Sequence, residues 1–383
     1  MSGLCMGAFW FAVLTIGYAY VGYPIIVTVL ARFLGRPVHR APITPSVTLL
    51  VAAFNEERWM AQKIENGLSL DYPEDKLEIL VVADGSTDRT TDIVSRWDDP
   101  RVRLEYQPER RGKTAALNRA VPLSCGEIIV FSDANTYFQK DALRSLVRSF
   151  ADPTVGCVTG TKKVRPRPGS AAATGEGMYW HYENHLKQCD STIGSVMGGA
   201  GEILAVRRRL WMPLEEDTLL DDFVLSLRIV ELGWRAVYER DAVTWEEASP
   251  DLKGEWTRRT RNVAGGFQAF TRLPGLLDPR NGLVTLQYLS HRMLRWIITP
   301  SLWVLMLASN LVLLAHPLYR FTLILQTLFY GLAGAGYLAA RRGLRVRWLQ
   351  MPFYVCLLNA AALVGGFRYF TGRQSVLWQK ARS

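Results

Sequence analysis

Charge is missing from four long stretches of this chain, and that limits its folds more than any other feature. Residues 1–31 carry no charged side chain, and neither do 296–315, 321–340 and 348–367. The last three each have the ~20 residues a helix needs to cross a bilayer, and the first is longer. The first lacks the basic start and short apolar core of a signal peptide, so residues 1–40 read as a membrane anchor. Arg32, Arg36 and Arg40 follow it and assign that end to the cytoplasm. Residues 296–383 read as a C-terminal membrane region of about three helices. Trp296, Trp303, Tyr319 and Trp348 stand near the helix ends, where amphipathic rings favour the interface. The loop holding Arg341, Arg342, Arg345 and Arg347 is expected in the cytoplasm. Three crossings would then leave Arg368, Arg373, Lys380 and Arg382 outside, against the positive-inside tendency. Either the last run is re-entrant, helped by Pro352, Gly365 and Gly366, or the tail breaks the rule.

The rest of the chain is ordinary soluble sequence. Of 383 residues 49% are hydrophobic and 21% charged, which excludes a disordered chain. The net charge of +10 comes with basic residues that flank apolar runs, so lipid headgroups explain it better than nucleic acid. Cys5, Cys125, Cys157, Cys189 and Cys356 have no metal-binding or haem spacing and suit a reducing compartment. Residues 283–296 alternate apolar with polar positions. They read as an amphipathic helix lying on the inner leaflet, or else as a helix packed on the soluble core.

Between residues 41 and 250, β-rich and helical patterns alternate. Strands are expected at 47–53, 78–83, 127–132 and 155–160, and helices at 56–68, 90–97, 113–120 and 141–150. Such alternation implies an α/β domain with a mostly parallel sheet, whose ligands bind at the carboxyl ends of the strands. Polar residues collect there: Asn55 and Glu56, then Asp84 to Asp88, then Asp133 to Asn135. Neither a dinucleotide fingerprint nor a P-loop is present. Acidic strand ends suit a nucleotide whose diphosphate is held through Mg2+ or Mn2+.

Four segments carry a resemblance: VAAFNEE at 51–57, VVADGSTD at 81–88, RGKTAALN at 111–118 and FSDANT at 131–136. GGAGEILAVR at 198–207, LLDDF at 219–223 and RRTR at 258–261 continue it in order. Together they resemble the membrane-bound family 2 glycosyltransferases, which include cellulose, chitin, hyaluronan and poly-N-acetylglucosamine synthases. The resemblance implies a GT-A fold and inverting transfer from a nucleoside diphosphate sugar, usually a UDP-sugar. It implies that Asn55, Glu56, Asp84, Lys113, Asp133 and Arg261 bind the donor, and that Asp133 and Asn135 stand at the D-x-D metal motif. It assigns the general base to Asp222, beside Asp221, with Arg258 near the leaving diphosphate and Gly199, Gly201 and Glu202 on the acceptor side. Asp88 doubles as a candidate helix cap, and Arg258, Arg259 and Arg261 as a lipid-facing patch. His181 and His185, at i, i+4, read as acceptor-side or structural rather than as metal ligands. Glu255 and Arg259 depart from the Q-x-x-R-W of processive members, whose Trp lies at the mouth of the acceptor channel.

The expected function is therefore a multi-pass cell-membrane transferase with a cytoplasmic catalytic domain, building an extracellular or capsular polysaccharide. Transfer of one sugar to a polyprenyl phosphate or glycolipid is the alternative within enzymes. A catalytically silent nucleotide-sugar sensor is the alternative outside them.

Overall fold

The computed structural model describes residues 2–165, 172–247, 252–344 and 346–377. Arg345, Lys380 and Arg382 of the basic segments lie outside these.

Among the described residues eight strands form one sheet: β1 (Val47–Ala53), β2 (Leu77–Asp84), β3 (Val102–Gln107), β4 (Ile128–Asp133), β5 (Thr136–Phe138), β6 (Val155–Arg165), β7 (Leu204–Arg207) and β8 (Arg235–Glu247). Their order is β3-β2-β1-β4-β7-β6-β8-β5. The first four are mutually parallel, β7 runs antiparallel to β4 and β6, and β8 is parallel to β6. Every residue of β1 is buried, as expected where helices cover both faces. Alternation then divides the strand: Leu50 and Ala52 enter one apolar core with Leu80, Val82 and Phe131, while Leu49, Val51 and Ala53 enter the other with Ile79, Val81 and Val130.

Register matters more for function than strand count. Ala53 pairs with Ala83, and Ala52 with Asp133, so β1, β2 and β4 stop at one level. The acidic strand ends are therefore neighbours, at the edge where α/β sheets bind ligands.

Among the described residues four helices are long and apolar enough to cross a membrane: Gly3–Phe33, Leu283–Val312, Pro317–Arg341 and Trp348–Phe370. One of them differs from the sequence expectation. The amphipathic stretch of 283–296 is no separate surface helix. It is the start of the Leu283–Val312 helix, wound as a π-helix over Tyr288–Ile298. Its polar residues Gln287, His291, Arg292 and Arg295 are buried against the Ala172–Ile193 helix, where His291 and Arg292 meet Glu183 and Gln287 meets Asp190. Helical periodicity marked one polar face, but a face that meets buried carboxylates and one that meets headgroups have the same pattern.

The last apolar helix packs lengthwise on the Leu252–Arg272 helix. Tyr354 bonds Glu255, a Cβ at Gly365 would meet the Thr260 carbonyl at 2.6 Å, and Tyr369 stacks on Phe267. Its end brings Arg368 and Arg373 to the catalytic domain. The segment after it lies beside that domain, with Val376 accepting from Arg261.

Candidate active site

Asn55 closes β1 in the left-handed region at φ 55°, which Asn tolerates better than most side chains. Its Oδ1 accepts the Thr87 N–H at 2.7 Å and the Asp88 N–H at 3.4 Å, tying the first strand end to the second. Asp84 accepts backbone N–H groups from Arg111 and Gly112. Neither side chain is in the wall of the central cavity, whereas Glu56 is. Asp88 accepts the N–H of Glu57 and of Thr90, so it caps two helix starts.

That cavity, of about 550 Å³, collects most of the other expected residues: Lys113, Asp133, Asn135, Gly199, Gly201, Glu202, Asp221, Asp222, Arg258 and Arg261. Lys113 opens its helix directly after Gly112, and its ammonium sits 2.9 Å from Asp133 and 3.6 Å from Asp221. Burial alone would lower its pKa, but Asp133, Asp221 and Asp222 outweigh that and raise it. It is not a solvated helix residue.

Asp221 and Asp222 begin the Asp221–Glu231 helix, which stops before Gly233 at φ 87°. Asp222 accepts the Gly201 N–H at 2.7 Å through Oδ2 and the Phe223 N–H at 2.8 Å through Oδ1. Burial, then the charge of Asp221, pushes its carboxyl up to about 7, against the opposing pull of Lys113. The glycine loop makes this approach possible. A Cβ at Gly201 would stand 3.1 Å from Asp222 Oδ2, and Gly198, at φ 106°, would meet the Phe223 ring at 2.4 Å.

Asn135 donates to Glu246 at 3.3 Å, and Glu246 and Glu202 both pair with the buried Lys162. Burial favours the neutral Glu202 carboxyl, but Lys162 overcomes this and holds its pKa below the ordinary value. Among the described residues no group of three or more His, Cys, Asp or Glu is placed to hold a metal. The protein offers Asp133 and the Asn135 amide, a donor set that fits a cation whose other ligands are phosphate oxygens.

Arg261 is pulled down by burial and back up by Asp221, Asp222 and Asp133. It also donates to the Val376 carbonyl at 3.4 Å, where the segment after the last helix crosses the cavity. Arg259 turns away from the acids, into Glu255 and Tyr354. Arg207 and Arg208 serve backbone carbonyls elsewhere, and His185 meets Thr28 of the N-terminal helix. Lys63 escaped the sequence reading. Fully buried, it donates to Ser132 Oγ at 2.6 Å and to the Thr136 carbonyl at 2.7 Å, bracing the loop of Asp133 and Asn135. Its one visible signal was a lysine on the apolar stripe of the Glu57–Leu68 helix.

An acidic pair at a helix start and a cation bridging it to a strand-end Asp thus share one cavity. The model of the family described as "Glycosyltransferase like family 2" matches residues 45–265. The chain belongs to that family. This family 2 glycosyltransferase is 30% identical over 237 residues to the beta-monoglucosyldiacylglycerol synthase of Synechocystis, covering 59% of this chain and 49% of the relative. It is 26% identical over 232 residues to the poly-beta-1,6-N-acetyl-D-glucosamine synthase of Staphylococcus aureus, covering 59% of this chain and 56% of that one. The chain thus spans about half the length of these relatives. The mannosyltransferase PcManGT from Pyrobaculum calidifontis, solved with GDP-Man and Mn2+, superposes with a TM-score of 0.70 at 26% identity over 96% of this chain and 100% of that one. The GT-A fold expected from the sequence is present, and the likeness extends through the apolar helices.

Proposed function

We propose that the protein is a membrane-embedded, inverting transferase that moves one sugar from a nucleoside diphosphate sugar to a lipid acceptor. The cavity carries this reading. It runs from Asp222 to side chains of the apolar helices, with Tyr20 of the first and Leu358, Asn359 and Ala362 of the last in its wall. An acceptor hydroxyl arriving from that side enters the cavity that holds Asp222. The hydroxyl oxygen attacks the anomeric carbon on the face opposite the diphosphate, the anomeric carbon–oxygen bond breaks, and the proton passes to Asp222. A carboxylate with a pKa near neutrality takes that proton and returns it to water. Arg258 and Arg261 face the charge that grows on the departing diphosphate. Asp133 and Asn135 would hold a divalent cation on the diphosphate, where it neutralises charge on the leaving group.

The resemblance to UDP-sugar synthases favours a uridine donor, and the likeness to a GDP-Man complex favours a guanosine one. The polysaccharide reading has support from the N-acetylglucosamine polymer synthase among the relatives. Against it, the residue in place of the channel-mouth Trp is Arg259, buried in an ion pair with Glu255. The catalytic domain on this reading lies on the cytoplasmic face, with the tail beside it.

The test is product analysis. Purified protein in nanodiscs with native lipid receives labelled GDP-mannose, UDP-glucose or UDP-N-acetylglucosamine, with Mn2+ or chelator. Label in a butanol-extractable single-sugar lipid, lost in Asp222→Asn, is the expected result. A polymer ladder would overturn the lipid acceptor and leave the transferase standing. Donor binding with no turnover after lipid is added back would favour a sensor.

A further inference from the structure

The cavity continues past Asp222 toward the apolar helices. There its wall is Trp180 and Lys187 of the Ala172–Ile193 helix, with Arg292 and Arg295 of the π-wound segment. Glu183, beside these three cations, is already engaged. It pairs with Arg292 at 2.7 Å, with His291 at 3.3 Å and with Arg295 at 3.4 Å. Arg292 also spends Nε on the Met197 carbonyl, which fixes its guanidinium in the wall.

Lys187 has no such arrangement. It is 3% exposed, and among the described residues its ammonium makes no hydrogen bond or ion pair; the Trp180 ring centroid lies 5.5 Å away. The Trp180 indole N–H beside it is buried and has no hydrogen-bond partner among the described residues. Buried cations and donors are normally paired, because removing them from water is costly. Burial lowers the pKa of Lys187 and Arg292 adds to the lowering, while the charges of Glu183, Glu202 and Asp222 work against it without any of them bonding the ammonium. An ammonium and an indole N–H, both unmatched and both in the wall of one cavity, fit a ligand with oxygen acceptors and negative charge. Phosphate is the anion whose several oxygens satisfy an ammonium, an N–H and a guanidinium together.

We propose that this end of the cavity is an acceptor subsite for the phosphate of an amphiphile, with Lys187 as its direct contact and Trp180 and Arg292 beside it. This rests on the lipid-acceptor reading above. The apolar wall at Leu358 and Ala362 gives the hydrocarbon chain its exit, so the anion is placed between chain and sugar-accepting oxygen. The acceptor is then an anionic lipid rather than a neutral one.

Binding separates this from the function reading. The full chain in neutral detergent is titrated calorimetrically with decyl phosphate, decanol and inorganic phosphate. Decyl phosphate is expected to bind at least about tenfold more tightly than either, the size of one charge-assisted hydrogen bond. Lys187→Gln should erase the preference over decanol and Lys187→Arg should keep it, with nucleotide binding in the same samples reporting that each variant is folded. Equal binding of decanol, or a preference untouched by Lys187→Gln, overturns the subsite. Inorganic phosphate binding as tightly as decyl phosphate overturns the amphiphile. A polymer as the transfer product sinks the lipid reading, whereas loss of the decyl phosphate preference sinks only the subsite.

Discussion

Lys113 Nζ lies 2.9 Å from Asp133 Oδ1, so the fixed positive charge of the site stands where the strand-end carboxylate would also meet a metal. The protein therefore carries part of the charge that a cation would supply, and Asn135 in place of a second Asp is consistent with that sharing.

Asn135→Asp should expose the balance. The new carboxylate would replace an amide that donates to Glu246 at 3.3 Å, setting two acids together. Without metal the variant is expected to lose about 1–2 kcal/mol, read as a lower Tm in chelator. With Mn2+ it should regain that loss, and the half-saturating Mn2+ concentration for turnover should fall several-fold. An identical Mn2+ response in wild type and variant would refute the assignment of Asn135 to the metal position.

Asp222 makes a prediction in pH. Its carboxyl titrates at about 7, so turnover should climb as pH rises from 6 to 8 and the base loses its proton. Asp222→Asn should cut turnover by about 10²–10⁴-fold and remove that limb. Stability moves oppositely. A carboxyl whose folded pKa is raised stabilises the fold while protonated and loses that contribution as pH rises through 7. The variant should therefore melt higher than wild type at pH 8, with the gap shrinking below pH 6. A pH-independent gap would place the titration elsewhere.

How much of this was legible in the residues differs from element to element. Val47–Ala53 was readable because a strand buried on both faces is a continuous apolar run. β7, the Leu204–Arg207 strand, is four residues between a glycine loop and Arg208 and Arg209, and nothing in so short a span separates strand from turn. The motifs located Asp133, Asp222 and Lys113, yet the 3.6 Å approach of Lys113 to Asp221 joins positions far apart in sequence, which local periodicity does not encode. Lys187 and Arg292 were invisible for the same reason. Each sits in a segment with ordinary polar spacing, and only packing reveals that both face one cavity.

Lys63 is a buried ammonium beneath the Asp133 loop, and burial lowers its pKa to about 7. Between that value and the ~10.4 of an unfolded lysine, the unfolded chain binds more protons, so wild-type stability should rise with pH. Lys63→Met leaves Ser132 Oγ and the Thr136 carbonyl without their donor. It should cost about 1–3 kcal/mol at pH 7 and more at pH 9, because the variant lacks the alkaline gain. Thermal melts of both proteins across that range measure it. Parallel curves would show that Lys63 titrates normally.

Glu255 is fully buried and accepts from Arg258 at 2.5 Å, Arg259 at 2.8 Å and Tyr354 at 2.5 Å, which joins the catalytic domain to the last apolar helix. Burial would raise its pKa, but Arg259 and Arg258 overcome that and hold the carboxyl well below its usual range. Glu255→Gln restores the glutamine of the processive motif while removing the charge that Arg259 needs. Breaking one side of a buried pair costs about 3 kcal/mol or more, so the variant should melt several degrees lower. Adding Arg259→Trp removes the stranded cation and should recover part of that loss. The double variant is nonetheless expected to make the same single-sugar product, because the apolar wall at Leu358 and Ala362, which suits a lipid chain, is unchanged. A product ladder from the double variant, sized by gel or mass spectrometry, would show instead that the motif alone decides chain length.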